Sequence, residues 1–425
     1  MDQDEQRTRR SVLIGTGTAV GGALAGCVSA TGTDEPASSA SSDAETESPT
    51  PSPTATDGSP GQSTATEAET DAESTPETPY GVEMAPMGEV EFEAVPERIF
   101  TVLSHKADMA LALGRGDDLT GVYAVEYTNS LMNAFTPRLD GVTVDWTDLQ
   151  PAWNVGKETL YELDSDVHLA DPAKMVTMGA WDRAGVEEVA DRVGPFFGNT
   201  FSATHGTPPD AYADDYEYYT LWETFGKVAE VLRERERYEA LAAVRADLLS
   251  TIESGLPPES ERPSAAMVLP STADDSMWTY RLNAPGYHAA HTRPLGATDA
   301  VAAAGTADNG AQIDYEALLA ADPDVLFVLG GVVDAHDMTA IRETLVDDPI
   351  ASSVTAVEEE RVHALGTRHQ GPLVNLFQTE MAAKQLYPEA FGEWPTYVEG
   401  AYPDLSDDQR LFDHDRVAAV ITDGQ

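Results

Sequence analysis

Residues 158–170 read ETLYELDSDVHLA, and residues 316–328 read EALLAADPDVLFV. Each opens with a short stretch of helix formers. Each then passes an Asp-x-Asp turn and enters a run of buried, strand-forming residues. The same unit thus stands in both halves of the chain, which predicts two related α/β lobes.

The surrounding sequence extends the alternation. Arg98–Leu103, Leu119–Tyr123, Asp166–Ala170 and Gly194–Phe197 read as strands of a first lobe, with helices at Ala107–Leu113 and Glu158–Leu163. Leu221–Ser254 reads as one long helix closed by Gly255 and Pro257. The pattern then restarts. Ala265–Leu269, Val325–Leu329 and Val362–Leu365 are strands, and Tyr315–Ala321 and Leu373–Tyr387 are helices. The expected fold is α/β: two Rossmann-like lobes with parallel sheets, joined by a long backbone helix, with a ligand cleft between them. The expected segments are 1–27, 28–88, 89–220, 221–254 and 255–425.

The first two segments are not lobes. Residues 9–27, RRSVLIGTGTAVGGALAGC, set a short uncharged run behind two arginines and end on the sole cysteine. The glycines lack the strand and helix that a dinucleotide loop requires. The run is also too short and too rich in Gly, Ala and Thr to span a bilayer. It reads as an export signal. Arg9-Arg10 resembles a twin-arginine signal, and Leu24-Ala25-Gly26-Cys27 resembles a lipobox that would leave Cys27 to carry lipid. Residues 28–78 carry no Lys or Arg and are mostly Ser, Thr, Pro, Ala, Asp and Glu. Such a segment buries too little to offset its ordering entropy and reads as an acidic tether.

The 425 residues carry 74 acids against 25 bases, a net charge of −49. That charge argues against nucleic acid and against a polybasic membrane contact. Its even spread reads as the solvated surface of a halophile. With Cys27 the sole cysteine, the folded part has no disulfide and no thiolate chemistry. No G-x-S-x-G elbow, H-E-x-x-H pair or P-loop is present, so no enzyme is expected.

Val95-Pro96-Glu97-Arg98-Ile99, followed by Ala107–Gly114 and Gly121-Val122, resembles the entry of the ABC-transporter substrate-binding proteins for ferric siderophores and cobalamin. Tyr315–Leu319 with Asp322-Pro323-Asp324-Val325-Leu326 resembles their second-lobe motif. Leu295-Gly296-Ala297, Arg361–Leu365 and Leu386-Tyr387-Pro388 extend the likeness over most of residues 90–395. The sequence departs from the pattern at Ser165, where that family usually has proline, and at the insert from Ser202 to Tyr219.

The resemblance implies a monomeric receptor of haloarchaeal type, lipid-anchored on the extracytoplasmic face of the cell membrane. It implies capture of a ferric-siderophore-type complex and delivery to an ABC permease dimer with its ATPase. Glu158 and Glu316 would dock on the permease. No resident cofactor is implied. Cobalamin, haem, a bare zinc or manganese ion, and a chelatase-like activity are the alternatives.

Cargo should meet loops at strand C-termini. The candidates there are His105, Tyr123, Trp278, Tyr280, Arg281, Arg293, Arg368 and His369, with Ser104, Tyr127 and Lys174 nearby. Arginine offers a fork of donors to chelate oxygens, and aromatic rings offer flat walls. His105 and His369 carry the bare-metal alternative.

Overall fold

The computed structural model describes residues 78–271, 276–333, 336–395 and 402–424. The expected export signal, Cys27 and the tether as far as residue 77 lie outside the described residues. Both lobes belong to one compact unit spanning Ser74–Gln425. Among the described residues no helix is long and apolar enough to cross a membrane.

Order begins earlier than the sequence implied. Strands β1 (Tyr80–Met84) and β2 (Gly88–Phe92) form an antiparallel hairpin that straddles the boundary expected at residue 88. The cause is period-two alternation: Val82, Met84 and Phe92 point inward, with glutamates between them. The hairpin is pinned to the connecting helix. Tyr80 donates its hydroxyl to the Val231 carbonyl, and the Lys227 ammonium reaches the Glu83 carbonyl at 2.6 Å.

In the first lobe, β3 (Ile99–Thr101), β4 (Leu119–Val122), β5 (Gln150–Pro151) and β6 (Val167–Leu169) form a parallel sheet in the order β5-β4-β3-β6. The strand expected at Gly194–Phe197 is reduced to one bridge from Phe196 to His168. The lobe's helices are α1 (Ser104–Ala112), α2 (Val125–Phe135), α3 (Lys157–Leu163), α4 (Pro172–Met175), α5 (Arg183–Arg192) and α6 (Asp210–Ala213).

The single long connecting helix is instead two, α7 (Leu221–Val231) and α8 (Arg235–Gly255). Arg233 between them has φ 57°, a left-handed value that ends a helix. Thr220 and Glu223 form a reciprocal capping box at the start of α7.

The second lobe contains β7 (Ser264–Pro270), β8 (Met277–Tyr280), β9 (Thr298–Asp299), β10 (Gln312–Ile313), β11 (Val325–Val328) and β12 (Val362–Ala364). Its sheet runs β10-β8-β7-β11-β12, with β9 beside β7. It is mixed rather than wholly parallel, because β8 lies antiparallel to both β7 and β10. Its helices are α9 (Ala300–Ala304), α10 (Tyr315–Ala321), α11 (Met338–Asp347), α12 (Thr355–Glu358), α13 (Pro372–Leu386), α14 (Pro388–Phe391) and α15 (His414–Asp423).

The C-terminal segment crosses back toward the first half of the chain. Arg237 of α8 binds the Val420 carbonyl and, at 2.6 Å, that of Ile421 at the end of α15. The Tyr402 amide donates to the Ala134 carbonyl of α2 at 2.6 Å, and the Tyr402 ring packs on Phe135 and Phe377. Helix α13, buried along its whole length, lies at the seam. There Asp108 of α1 accepts from the first free amides of α13, Leu373 at 3.0 Å and Val374 at 3.1 Å. Those amides have no partner within the helix, so a carboxylate from the other lobe completes it.

Candidate functional site

The cleft is assembled from loops that leave strand ends. Strand β3 leads into Ser104 and His105, and β6 leads into Asp171 and Lys174. Strand β4 leads through Tyr123 and the left-handed Ala124 into α2, which carries Tyr127. From the second lobe, β12 leads into Thr367–Gln370, and a 3-10 turn at Tyr287–Ala289 stands beside it.

These loops touch across the seam. The Ser104 hydroxyl donates to the His369 carbonyl at 3.0 Å, and His105 Nε2 lies 3.2 Å from the Tyr287 hydroxyl. The His105 and His369 rings stack with centroids 6.3 Å apart. His288 Nε2 lies 3.3 Å from His369 Nδ1. The Gln370 amide locks the turn, donating to the carbonyls of Tyr287 at 3.0 Å and His288 at 3.2 Å.

An aromatic and cationic patch adjoins the histidines. The Arg368 guanidinium lies 4.4 Å from the centre of the Tyr280 ring. Opposite, Tyr123 makes edge contacts with Trp153 at 5.4 Å and Tyr127 at 6.3 Å. Trp153 is an exposed rim. Burial raises the Tyr123 and Tyr280 hydroxyls, and Arg368 opposes the shift in both. The guanidinium therefore acts on rings from both lobes.

The imidazoles are held neutral. Burial, then Arg368 and Lys174, brings His369 down to about 3. Burial, then Lys106 and His369, holds His105 well below its ordinary value. His288 is lowered by burial first and by His369 next. Neutral rings can accept hydrogen bonds or offer lone pairs. Among the described residues, however, no group of three His, Cys, Asp or Glu is arranged to hold a metal ion. The patch is suited to a flat, oxygen-rich or anionic ligand gripped by Arg368 between tyrosines.

Of the candidates, His105, Tyr123, Tyr280, Arg368 and His369 come together, as do Ser104, Tyr127 and Lys174. Arg281 and Arg293 do not. Arg281 binds the Ala307 carbonyl at 2.7 Å, and its amide binds Asn309 at 2.9 Å. Successive residues along a strand direction face opposite ways, so Tyr280 toward Arg368 sends Arg281 toward the 307–309 turn. Arg293 binds the carbonyls of Ala284 and, at 2.8 Å, Gly286. Trp278 is half-buried in β8 against the core. The scarcity of bases suggested cargo contacts at both arginines, but each instead satisfies backbone carbonyls.

Sequence reasoning missed Tyr287 and His288, since a 3-10 turn shows no periodicity. Pro285-Gly286 ahead of an aromatic and two histidines was the available signal. The insert from Ser202 also reaches the seam. Gly286, at φ 89°, faces the carbonyls of Ser202 and Ala203 so closely that a β-carbon would collide with them. Glu158 and Glu316 are both exposed in the first turns of α3 and α10.

Known proteins share this architecture. A periplasmic binding protein from Veillonella parvula DSM 2008 superposes with a TM-score of 0.54 at 15% identity, covering 79% of this chain and 99% of that one. The periplasmic catecholate-siderophore binding protein VctP from Vibrio cholerae gives 0.50 at 15% identity, covering 72% and 99%. Both show the fold. No curated protein matches the sequence. The periplasmic binding protein family model matches residues 197–368, from the end of the first lobe, through α7 and α8, to the arginine of the cleft. Over those residues the chain is similar to the periplasmic binding protein family, and the solved structures share its fold.

Proposed function

We propose that this protein captures a ferric-siderophore-type complex between its lobes and delivers it to an ABC importer. The observation that carries the reading is the meeting of Arg368 and Tyr280 with Tyr123 and Tyr127 across the seam. A guanidinium fork matches the oxygens around chelated iron, and the tyrosines supply the walls. The catecholate-siderophore binding named for VctP supports the cargo class. Capture is stoichiometric and involves no catalysis. Lipid on Cys27, after twin-arginine export, would hold the body at the extracytoplasmic membrane face.

Delivery rests on Glu158 and Glu316. They sit at equivalent places in the repeated unit, and a symmetric pair suits a permease dimer. Glu158→Arg with Glu316→Arg should leave cargo binding intact and abolish uptake.

The test is a titration of the purified full chain in high salt, followed by tryptophan quenching and calorimetry. Ferric hydroxamate, ferric catecholate, ferric citrate, cobalamin, haem and Zn²⁺ are the ligands. One-to-one binding of a single ferric complex, weakened about tenfold or more by Arg368→Ala, is expected. Preference for cobalamin or haem would replace the cargo. Binding of Zn²⁺ alone, lost in His105→Ala, would make the protein a metal-ion receptor.

A further inference from the structure

Lys106 is 2% exposed, and its ammonium has no hydrogen-bond partner among the described residues. It sits in the first turn of α1, a nine-residue helix with no side-chain cap. Beside it is a cavity of about 10 Å³ lined by Lys106, Lys174, His105, Asp171, Leu103 and Thr200. Burying a cation without a partner is costly unless a counter-charge accompanies it.

Asp171 does not fill that role by contact. Its Oδ1 accepts from the Ala173 amide at 2.7 Å. Its Oδ2 accepts from the Thr200 amide at 2.6 Å and the Tyr216 hydroxyl at 2.7 Å. His105 Nδ1, on the same helix turn, also has no partner among the described residues.

We propose that this cavity is a binding site for one small monovalent anion, a halide such as chloride, held by Lys106 and Lys174. Two ammonium groups against one carboxylate leave a single positive charge to balance. The positive end of α1 adds to the attraction. A cavity this small favours a compact anion over a phosphate group. Burial brings the Lys106 ammonium down to about 8, with Asp171 opposing, so it remains charged at neutral pH. The site shares His105 and Lys174 with the cluster that surrounds Arg368.

The test uses the full chain without cargo. Crystals grown in sodium bromide should give an anomalous peak beside Lys106 Nζ. The unfolding midpoint should be about 2–4 °C higher in chloride than in gluconate at equal ionic strength. Lys106→Met should abolish that difference. Lys174→Ala, at the half-buried rim, should reduce it and serves if Lys106→Met fails to fold. Equal midpoints in the two salts, no bromide beside Lys106, or an undiminished chloride effect in both variants would overturn the proposal.

Discussion

The unit from Lys157 to Leu169 and its counterpart from Tyr315 to Val328 share a backbone and differ in their surroundings. Both helices end on a left-handed aspartate, Asp164 at φ 48° and Asp322 at φ 42°. In both, the second aspartate ties the entry of the neighbouring strand. Asp166 accepts from the amides of Glu97 at 2.8 Å and Arg98 at 2.9 Å, and Asp324 accepts from Ser264 at 2.7 Å. The Asp-x-Asp signature is therefore a strand clamp. The loops that follow diverge: β6 leads to Asp171 and Lys174, while β11 leads to a Gly330-Gly331 turn. Repetition specifies the frame, and the chemistry sits where the repeat stops.

The strongest way to break the relation between the halves is at their seam. Asp108→Ala would leave the Leu373 and Val374 amides buried and unpaired, at a cost of about 3–5 kcal/mol. Denaturant unfolding measures it. Burial pushes the Asp108 carboxyl up to about 7, against the opposing amides of Val374, Leu373 and Gly371. Its folded value lies above the unfolded one. Its contribution is therefore full below the unfolded range and is lost as pH rises through about 7. Asp108→Asn should flatten that part of the stability–pH curve.

A smaller break lies at the insert. Gly286→Ala combines a left-handed backbone with collisions against Ser202 and Ala203, so a loss of about 2–3 kcal/mol is expected. A midpoint unchanged by this variant would show that the insert does not bear on the second lobe.

The mildest variant sharpens the comparison. Ser165 occupies the position of Pro323, and its hydroxyl lies 2.8 Å from that of Thr120. The residue before each is left-handed already, so Ser165→Pro should fit the backbone and cost no more than about 1 kcal/mol. A loss of several kcal/mol would mean that the two turns are less alike than their aspartates indicate.

Much of the frame was legible because buried strands and short helices leave continuous apolar patterns. Tyr315–Ala321 appears with the bounds expected. The antiparallel β8 was not legible, since direction depends on the partner strand and not on local pattern. Helix α2 carries a usable stripe of Leu131, Met132 and Phe135 that went unread. In the site, Arg368 and His369 could be placed because a loop follows a clear strand. Arg281 and Arg293 could not, because which carbonyls a guanidinium meets is decided by tertiary contacts.

The cationic cleft has a kinetic consequence. Arg368, Lys106 and Lys174 form a small positive island inside a protein of net charge −49. An anionic ligand approaching from afar meets repulsion, and feels attraction only at the mouth. Salt shortens the reach of the repulsion to about 3 Å at 1 M while screening the enclosed contact far less. Added salt would therefore speed association of such a ligand, the reverse of ordinary electrostatic steering.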